Sequence, residues 1–229
     1  MKNRLKLTMF EICLITVSLL VVIASFVFAS EKNYLSLVTT IVGIITCFAY
    51  SKVWVIAPMV GTVNNILYII LSFTQKFYGE AIIYLFLQMP IVIIQIIDYL
   101  KHKNKDDATI VNVNKVSKKE YLLMIPAVIV LTTGFYFLLK ALNTNELLIS
   151  TFSLVTSLLA AYLMLRRSPY YAIGYLLNDI VLIVLWSMTI ATSGLSYLPT
   201  MLGFVVFMAN DTYGFINWKI QEKKQKASA

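Results

Sequence analysis

The stretch YLLNDIVLIVLW, Tyr175 to Trp186, sets Asn178 beside Asp179 in an otherwise apolar run. If that run crosses a bilayer, the pair lies where water is scarce, and a polar or ionisable group there marks a functional site or a packing contact between helices. The surroundings favour a bilayer. Of 229 residues, 59% are hydrophobic and 13% charged, and the mean hydropathy is +0.80. Soluble domains are less apolar than this. The net charge of +8 does not point to nucleic acid, because the basic residues are scattered between apolar runs rather than gathered on one face. The two cysteines, Cys13 and Cys47, lie inside apolar segments and the single His102 in the charged middle of the chain. That supports neither a disulfide framework nor a metal site.

A membrane-crossing helix needs about 20 mainly apolar residues. Eight stretches fit: 8–29, 33–51, 53–73, 78–100, 121–140, 147–165, 169–191 and 195–218. Alternating strand patterns are absent, so the segments read as helices, which satisfy their own backbone in lipid. MKNRLK before the first segment and Ala29-Ser30 after it resemble a signal peptide, but the apolar stretch is longer than a usual signal core. Eight spans put both termini on one side of the membrane. Sixteen basic residues, among them Lys52, Lys101, Lys103, Arg166, Arg167 and Lys219, fall on that side, and only Lys32, Lys76 and Lys140 on the other. The bias places both termini in the cytoplasm of a cell membrane protein.

The chain repeats itself. SLVTT at Ser36–Thr40 returns as SLVTS at Ser153–Ser157, and each copy is followed one span later by an Asn-led pair, Asn64-Asn65 or Asn178-Asp179. The expected organisation is an N-terminal helix (1–32), a three-helix unit (33–100), a cytoplasmic linker with a connecting helix (101–146), a second three-helix unit (147–218) and a basic tail (219–229). One extra span between the triplets makes the copies parallel, a transporter plan in which substrate binds near the midplane between the halves.

No basic residue falls within a span. Glu80, Asp98, Asp179 and Asp211 are therefore expected to face water, a polar cavity, hydrogen-bonding partners or substrate, or to be protonated. In FYGEAIIYLFLQMPIVIIQIIDYL, Glu80, Tyr84, Gln88, Gln95 and Tyr99 fall on one helical stripe that Pro90 interrupts. Gln88 and Gln95 on such a stripe either line a cavity or tie helices together. Tyr175 and Asn178 share a face, and Asp179 and Trp186 share the adjoining one. An aromatic wall beside an amide and a carboxylate suits a flat polar heterocycle joined to a sugar. MANDTYGFINW repeats the device with Asn210, Asp211, Tyr213 and Trp218. Tyr170 and Tyr171 read as an interfacial belt, and Gly61, Gly174 and Gly214 as points of close helix packing.

In YGE at Tyr78–Glu80, SPYYAIGYLLNDIVLIVLW at Ser168–Trp186 and NDTYGFINW at Asn210–Trp218, the chain resembles the nicotinamide riboside transporter (PnuC) family over residues 30 to 220. The resemblance implies an all-α polytopic fold. Its plan would be a three-plus-one-plus-three bundle related to the SWEETs, with an extra N-terminal helix. It also implies facilitated uptake of nicotinamide riboside, trapped afterwards by a cytosolic kinase. The candidate substrate-binding set is Asn64, Tyr68, Glu80, Gln88, Gln95 and Tyr175, with Asn178, Asp179, Trp186, Asn210 and Asp211.

The chain departs from the family where rings are read. Tyr170, Tyr171 and Tyr175 stand where many members carry a Trp-x-x-Trp pair, and Gln95 and Tyr99 where members tend to have Gly and Trp. Thiamine, riboflavin or a deoxynucleoside therefore remain alternative cargoes, and proton-coupled import an alternative mechanism. The expected partners are a small-molecule vitamin or nucleoside, the lipid bilayer and, through metabolism, the kinase. Homo-oligomer formation is left open. No nucleic acid, cofactor or metal is expected. Without a basic residue in a span or a nucleophile elbow, an enzyme is not expected either, and the duplicated triplets argue against a subunit that needs a separate motor.

Overall fold

A computed structural model describes residues 7–29, 32–74, 78–143, 146–193 and 198–228. The chain is all-helical in its regular structure: α1 (Met9–Phe28), α2 (Tyr34–Ser51), α3 (Ala57–Thr74), α4 (Tyr78–Ile83), a π-helical turn (Tyr84–Gln88), α5 (Met89–Lys101), α6 (Lys118–Ala141), α7 (Leu147–Leu165), α8 (Tyr171–Ser193) and α9 (Leu198–Ala227). Among the described residues, seven helices are long and apolar enough to cross a membrane, α5 being counted together with the turns before it. Leu122, Leu123 and Val130 of α6 are more than 70% exposed, as are Phe28 and Leu148. Side chains like these would be a liability in water and are ordinary against lipid. The chain is a multi-pass membrane protein.

Local chemistry sets the helix ends. Thr8 with Glu11, and Ser117 with Glu120, form reciprocal caps at the starts of α1 and α6, and Asn33 accepts from Ser36 N–H at the start of α2. Ahead of Pro90, Met89 N–H reaches back to the Tyr84 carbonyl, closing the wider π turn. The proline thus disturbs its helix earlier than the freed mid-span carbonyl alone suggests, and the extra residue in the turn rotates Tyr84 and Gln88 relative to α5.

The helices pack as two groups, α2 with α3 and α3 with α5 in one, α7 with α8 and α8 with α9 in the other. Contacts of α2 on α9 and of α5 on α7 join them; α6 packs on α7, and α1 on α2 and α9. Each neighbour relation within one group has its counterpart in the other.

The helix ends match as well. The N–H groups of Lys52, Val53 and Trp54 return to the carbonyls of Phe48, Tyr50 and Ala49 at 3.0, 2.9 and 3.2 Å. Those of Arg166, Arg167 and Ser168 return in the same order to Tyr162, Met164 and Leu163, each at 2.9 Å. Val53 and Arg167 are the left-handed residues of these turns, at φ 61° and 55°. This turn is why α3 begins at Ala57 rather than near residue 53.

The linker is an ordered strap over those turns. Val111 N–H donates to the Val53 carbonyl at 3.0 Å and Asn114 N–H to the Arg167 carbonyl at 2.9 Å. Arg167 Nη1 donates to the Asn112 carbonyl at 3.1 Å and pairs with Asp98 at 2.7 Å. Burial lowers the pKa of that guanidinium from its usual value, and Asp98 opposes the shift. Asp98, expected to face water, a polar cavity, hydrogen-bonding partners or substrate, sits in the last turn of α5, within reach of a basic side chain from outside the spans. The basic tail is likewise no separate segment. It continues α9 to Ala227, with Glu222 bridging Lys219 at 3.0 Å and Lys226 at 2.6 Å.

From α9, Gln225 accepts from Val113 N–H at 2.8 Å and donates to the Val111 carbonyl at 3.1 Å. Replacing Gln225 with Ala removes both bonds, costing roughly 1–3 kcal/mol of local stability. Limited proteolysis should then show trypsin cutting after Lys103 and Lys115 about tenfold faster, with cleavage elsewhere unchanged. Gly174 tests the α7–α8 contact, since an added Cβ would lie 2.8 Å from Ala160 Cβ and 2.9 Å from its Cα. Gly174→Ala should cost roughly 1–3 kcal/mol, read as a lower thermal midpoint in detergent. Gly134→Ala, with nothing within 4 Å, is the matched control and should leave the midpoint in place.

Candidate functional site

The six helices of the two groups enclose a cavity of about 180 Å³. Each Asn-led pair contributes to it, Asn64-Asn65 from α3 and Asn178-Asp179 from α8. Gln88 and Gln95 enter from the other side of the first group, Tyr175 from α8 and Asp211 from α9. These are seven of the eleven residues in the expected set, counting Asn64, and they reach one space because both groups turn their polar faces toward each other.

Asn178 is 8% exposed, and its Oδ1 lies 3.0 Å from Ser153 Oγ and 2.8 Å from Thr156 Oγ1. Ser153 donates to the amide. Thr156 has one proton and a competing acceptor, the Ser153 carbonyl at 2.9 Å. The repeated SLVT letters of α7 thus hold the Asn178 oxygen, which leaves its NH₂ group as the donor not used by these contacts. Asn64 Oδ1 is buried without a hydrogen-bond partner among the described residues. It packs near Gly43, where an added Cβ would come 3.5 Å from it and 3.0 Å from Phe207 Cζ.

Gln95 is 2% exposed and accepts from the Tyr50 hydroxyl at 2.7 Å. It therefore both lines the cavity and joins α5 to α2. Asp179 and Asp211, 4% and 5% exposed, stand as neighbouring carboxyl groups in the cavity wall.

Three expected residues lie elsewhere. Tyr68 stands behind the cavity wall, its ring 4.2 Å from that of the lining residue Tyr84. Trp186 comes seven residues after Asp179, about 10 Å along α8, and does not line the cavity. Asn210 is fully buried on the opposite side of α9, donating to Ser18 Oγ of α1 at 3.3 Å and to the Val206 carbonyl at 2.9 Å. Neighbouring helical residues point about 100° apart, so Asp211 can face the cavity while Asn210 faces α1. The side chain of Glu80 lies outside the described residues.

Other expectations need correction. Tyr171 is not part of an interfacial belt. It is fully buried, edge-on to Trp218 at 5.2 Å and near Tyr50 at 6.5 Å, because the turn at Ser168 aims the start of α8 inward. Tyr170 is 45% exposed, with Lys219 4.3 Å over its ring. Tyr213 binds Glu11 of α1, which Lys52 also reaches at 2.5 Å. Cys47, Tyr50, Asn65 and Ser157 line the cavity without having been expected there. Ser157, the residue that closes the second SLVT motif, and Asn65, the partner of Asn64, carried a readable signal in the repeat; Cys47 and Tyr50 did not.

A family model described as nicotinamide mononucleotide transporter matches residues 33–220. A protein named nicotinamide riboside transporter PnuC, from Neisseria mucosa, is 26% identical over 196 residues, covering 84% of this chain and 74% of that protein. The crystal structure of the vitamin B3 transporter PnuC superposes with a TM-score of 0.81 at 25% identity, covering 96% of this chain and 94% of the other. The family match spans most of the chain and includes every residue of the cavity, so the chain belongs to the PnuC family of membrane transporters and is not an enzyme.

Proposed function

We propose that the chain carries out facilitated uptake of nicotinamide riboside across the cell membrane. The observation that carries this reading is the chemistry of the cavity wall. Among the described residues, it holds two carboxyl groups, five side-chain amides and tyrosine rings, and no Lys, Arg or His. Rings and amides suit a heterocyclic amide joined to a ribose. A 5′-phosphate would face Asp179 and Asp211 with no cation to compensate, a repulsive element that selects against it. The cavity thus favours the riboside, as the Neisseria mucosa relative is named, over the mononucleotide of the family description.

In this reading the substrate ring lies against Tyr175, and Asn64, Gln88, Gln95 and Asn178 bind its amide and hydroxyls. The three-plus-one-plus-three plan, with units at 33–100 and 147–218 and the N-terminal helix outside them, has support in the paired neighbour relations and the matching left-handed turns at Val53 and Arg167. Each turn precedes its Asn-led pair by eleven residues. With α9 as the eighth span, both termini and the strap lie in the cytoplasm, in agreement with the lysine and arginine bias. Rocking of one triplet against the other exposes the cavity to either side in turn. A cytosolic kinase that phosphorylates the riboside converts it to the form the cavity rejects, which makes uptake one-way.

Purified protein in proteoliposomes without an ion gradient should equilibrate labelled nicotinamide riboside at least about tenfold faster than its 5′-phosphate, a difference of about 1.4 kcal/mol. Equal uptake of the two would overturn the reading. Equilibration that requires a pH gradient would replace facilitated diffusion with proton-coupled import. Thiamine, riboflavin and deoxynucleosides in the same assay test the other cargoes. Asn178→Ala should weaken riboside binding at least about tenfold with the thermal midpoint retained, measured by calorimetry; unchanged affinity in the folded variant removes Asn178 from the site.

A further inference from the structure

Asp179 on α8 and Asp211 on α9 line the cavity together, their carboxyl groups near enough to interact directly. An ionised carboxylate only accepts hydrogen bonds, so two neighbouring carboxyl groups can bond to each other only if one of them keeps a proton. Asp179 Oδ2 has no hydrogen-bond partner among the described residues, although the side chain is only 4% exposed. The titratable groups that face the pair are Cys47 from α2 and Tyr171 and Tyr175 from α8. None of them supplies a positive charge. Tyr50 is committed to Gln95, and Glu11, brought to α9 by α1, is committed to Lys52 and Tyr213. Two ionised carboxylates side by side in a buried wall without a cation would repel strongly, which favours a proton on one of them.

We propose that the Asp179–Asp211 pair holds one proton between its carboxyl groups, and that the single negative charge left on it is the counter-ion by which the cavity selects a positively charged aromatic ring over a neutral one of the same shape. The inference rests on the riboside reading above. The ring nitrogen of nicotinamide riboside is bonded to the sugar, which makes the ring a pyridinium cation. Adding a hydride to the ring removes that charge and leaves the sugar and the carboxamide in place. Burial in a wall without other charges keeps the counter-ion unscreened by salt, where the attraction is larger than at a surface. Acidification adds the second proton to the pair and erases its charge. Affinity for the cation therefore falls as pH is lowered, while affinity for the neutral dihydro form does not.

The test is calorimetric binding of nicotinamide riboside and of its dihydro form to the full chain in detergent. The expected result for the unaltered protein is a preference for the cation of at least about tenfold that shrinks as the pH is lowered. Asp179→Asn or Asp211→Asn alone puts a neutral amide where the protonated carboxyl stands and leaves the other carboxylate its charge, so each single variant should keep the preference. The double variant Asp179→Asn/Asp211→Asn removes the charge, and there the two affinities should converge while the dihydro form still binds. Equal affinity for both forms in the unaltered protein overturns the proposal, because the pair is then fully protonated or not felt by the ring. A preference that persists in the double variant also overturns it. Failure of the unaltered protein to bind either form is a different result: it sinks the riboside reading, and this inference with it.

Discussion

Lipid offers no hydrogen bonds, so each polar group carried into the bundle has to find its partner inside the protein. Two places absorb that demand. One is the seam at the strap end, where the carbonyls of Val53 and Arg167 accept from the strap, Trp218 Nε1 donates to the Tyr50 carbonyl at 2.7 Å and Asn217 to the Ser51 carbonyl at 2.8 Å. The other is the cavity, where Asn178 and Gln95 are held by other polar side chains and Asp179 and Asp211 stand side by side.

The seam ties together elements far apart in the chain. Tyr50 meets Tyr99 edge-on and donates to Gln95, while its carbonyl takes the Trp218 proton. One residue at the end of α2 thus links α5, α9 and the cavity. Gly214 lets α9 come so close that an added Cβ would lie 2.8 Å from Ser51 Oγ and 3.2 Å from the Tyr171 hydroxyl. Packing at this end therefore fixes where the Asn-led pairs stand, without any of its own aromatic residues except Tyr50 entering the cavity.

Much of this was legible as letters and spacing. Apolar runs bounded by lysine and arginine pointed to a membrane, because their length and charge answer to the thickness and polarity of a bilayer. The polar stripe through Tyr84, Gln88 and Gln95 and the pairs at Asn64 and Asn178 converge on one space, as residues concentrated on otherwise apolar helices tend to. Spacing misplaced Asn210 and Tyr171. A polar residue in a span reads the same whether it faces a cavity, a neighbouring helix or the end of a strap.

By itself the sequence determined that the chain is helical, crosses a membrane and repeats the SLVT and Asn-led motifs, since hydropathy, length and repetition are properties of the order of residues. Only the tertiary structure decided which polar residues share a space. That depends on how far each helix is rotated about its axis. The rotation is set by the π turn before Pro90, by the left-handed residues Val53 and Arg167, and by close contacts such as Gly174 on Ala160. The meeting of Asp179 with Asp211 is the clearest case: they lie on different helices, and no spacing within either helix could have brought the two carboxyl groups together.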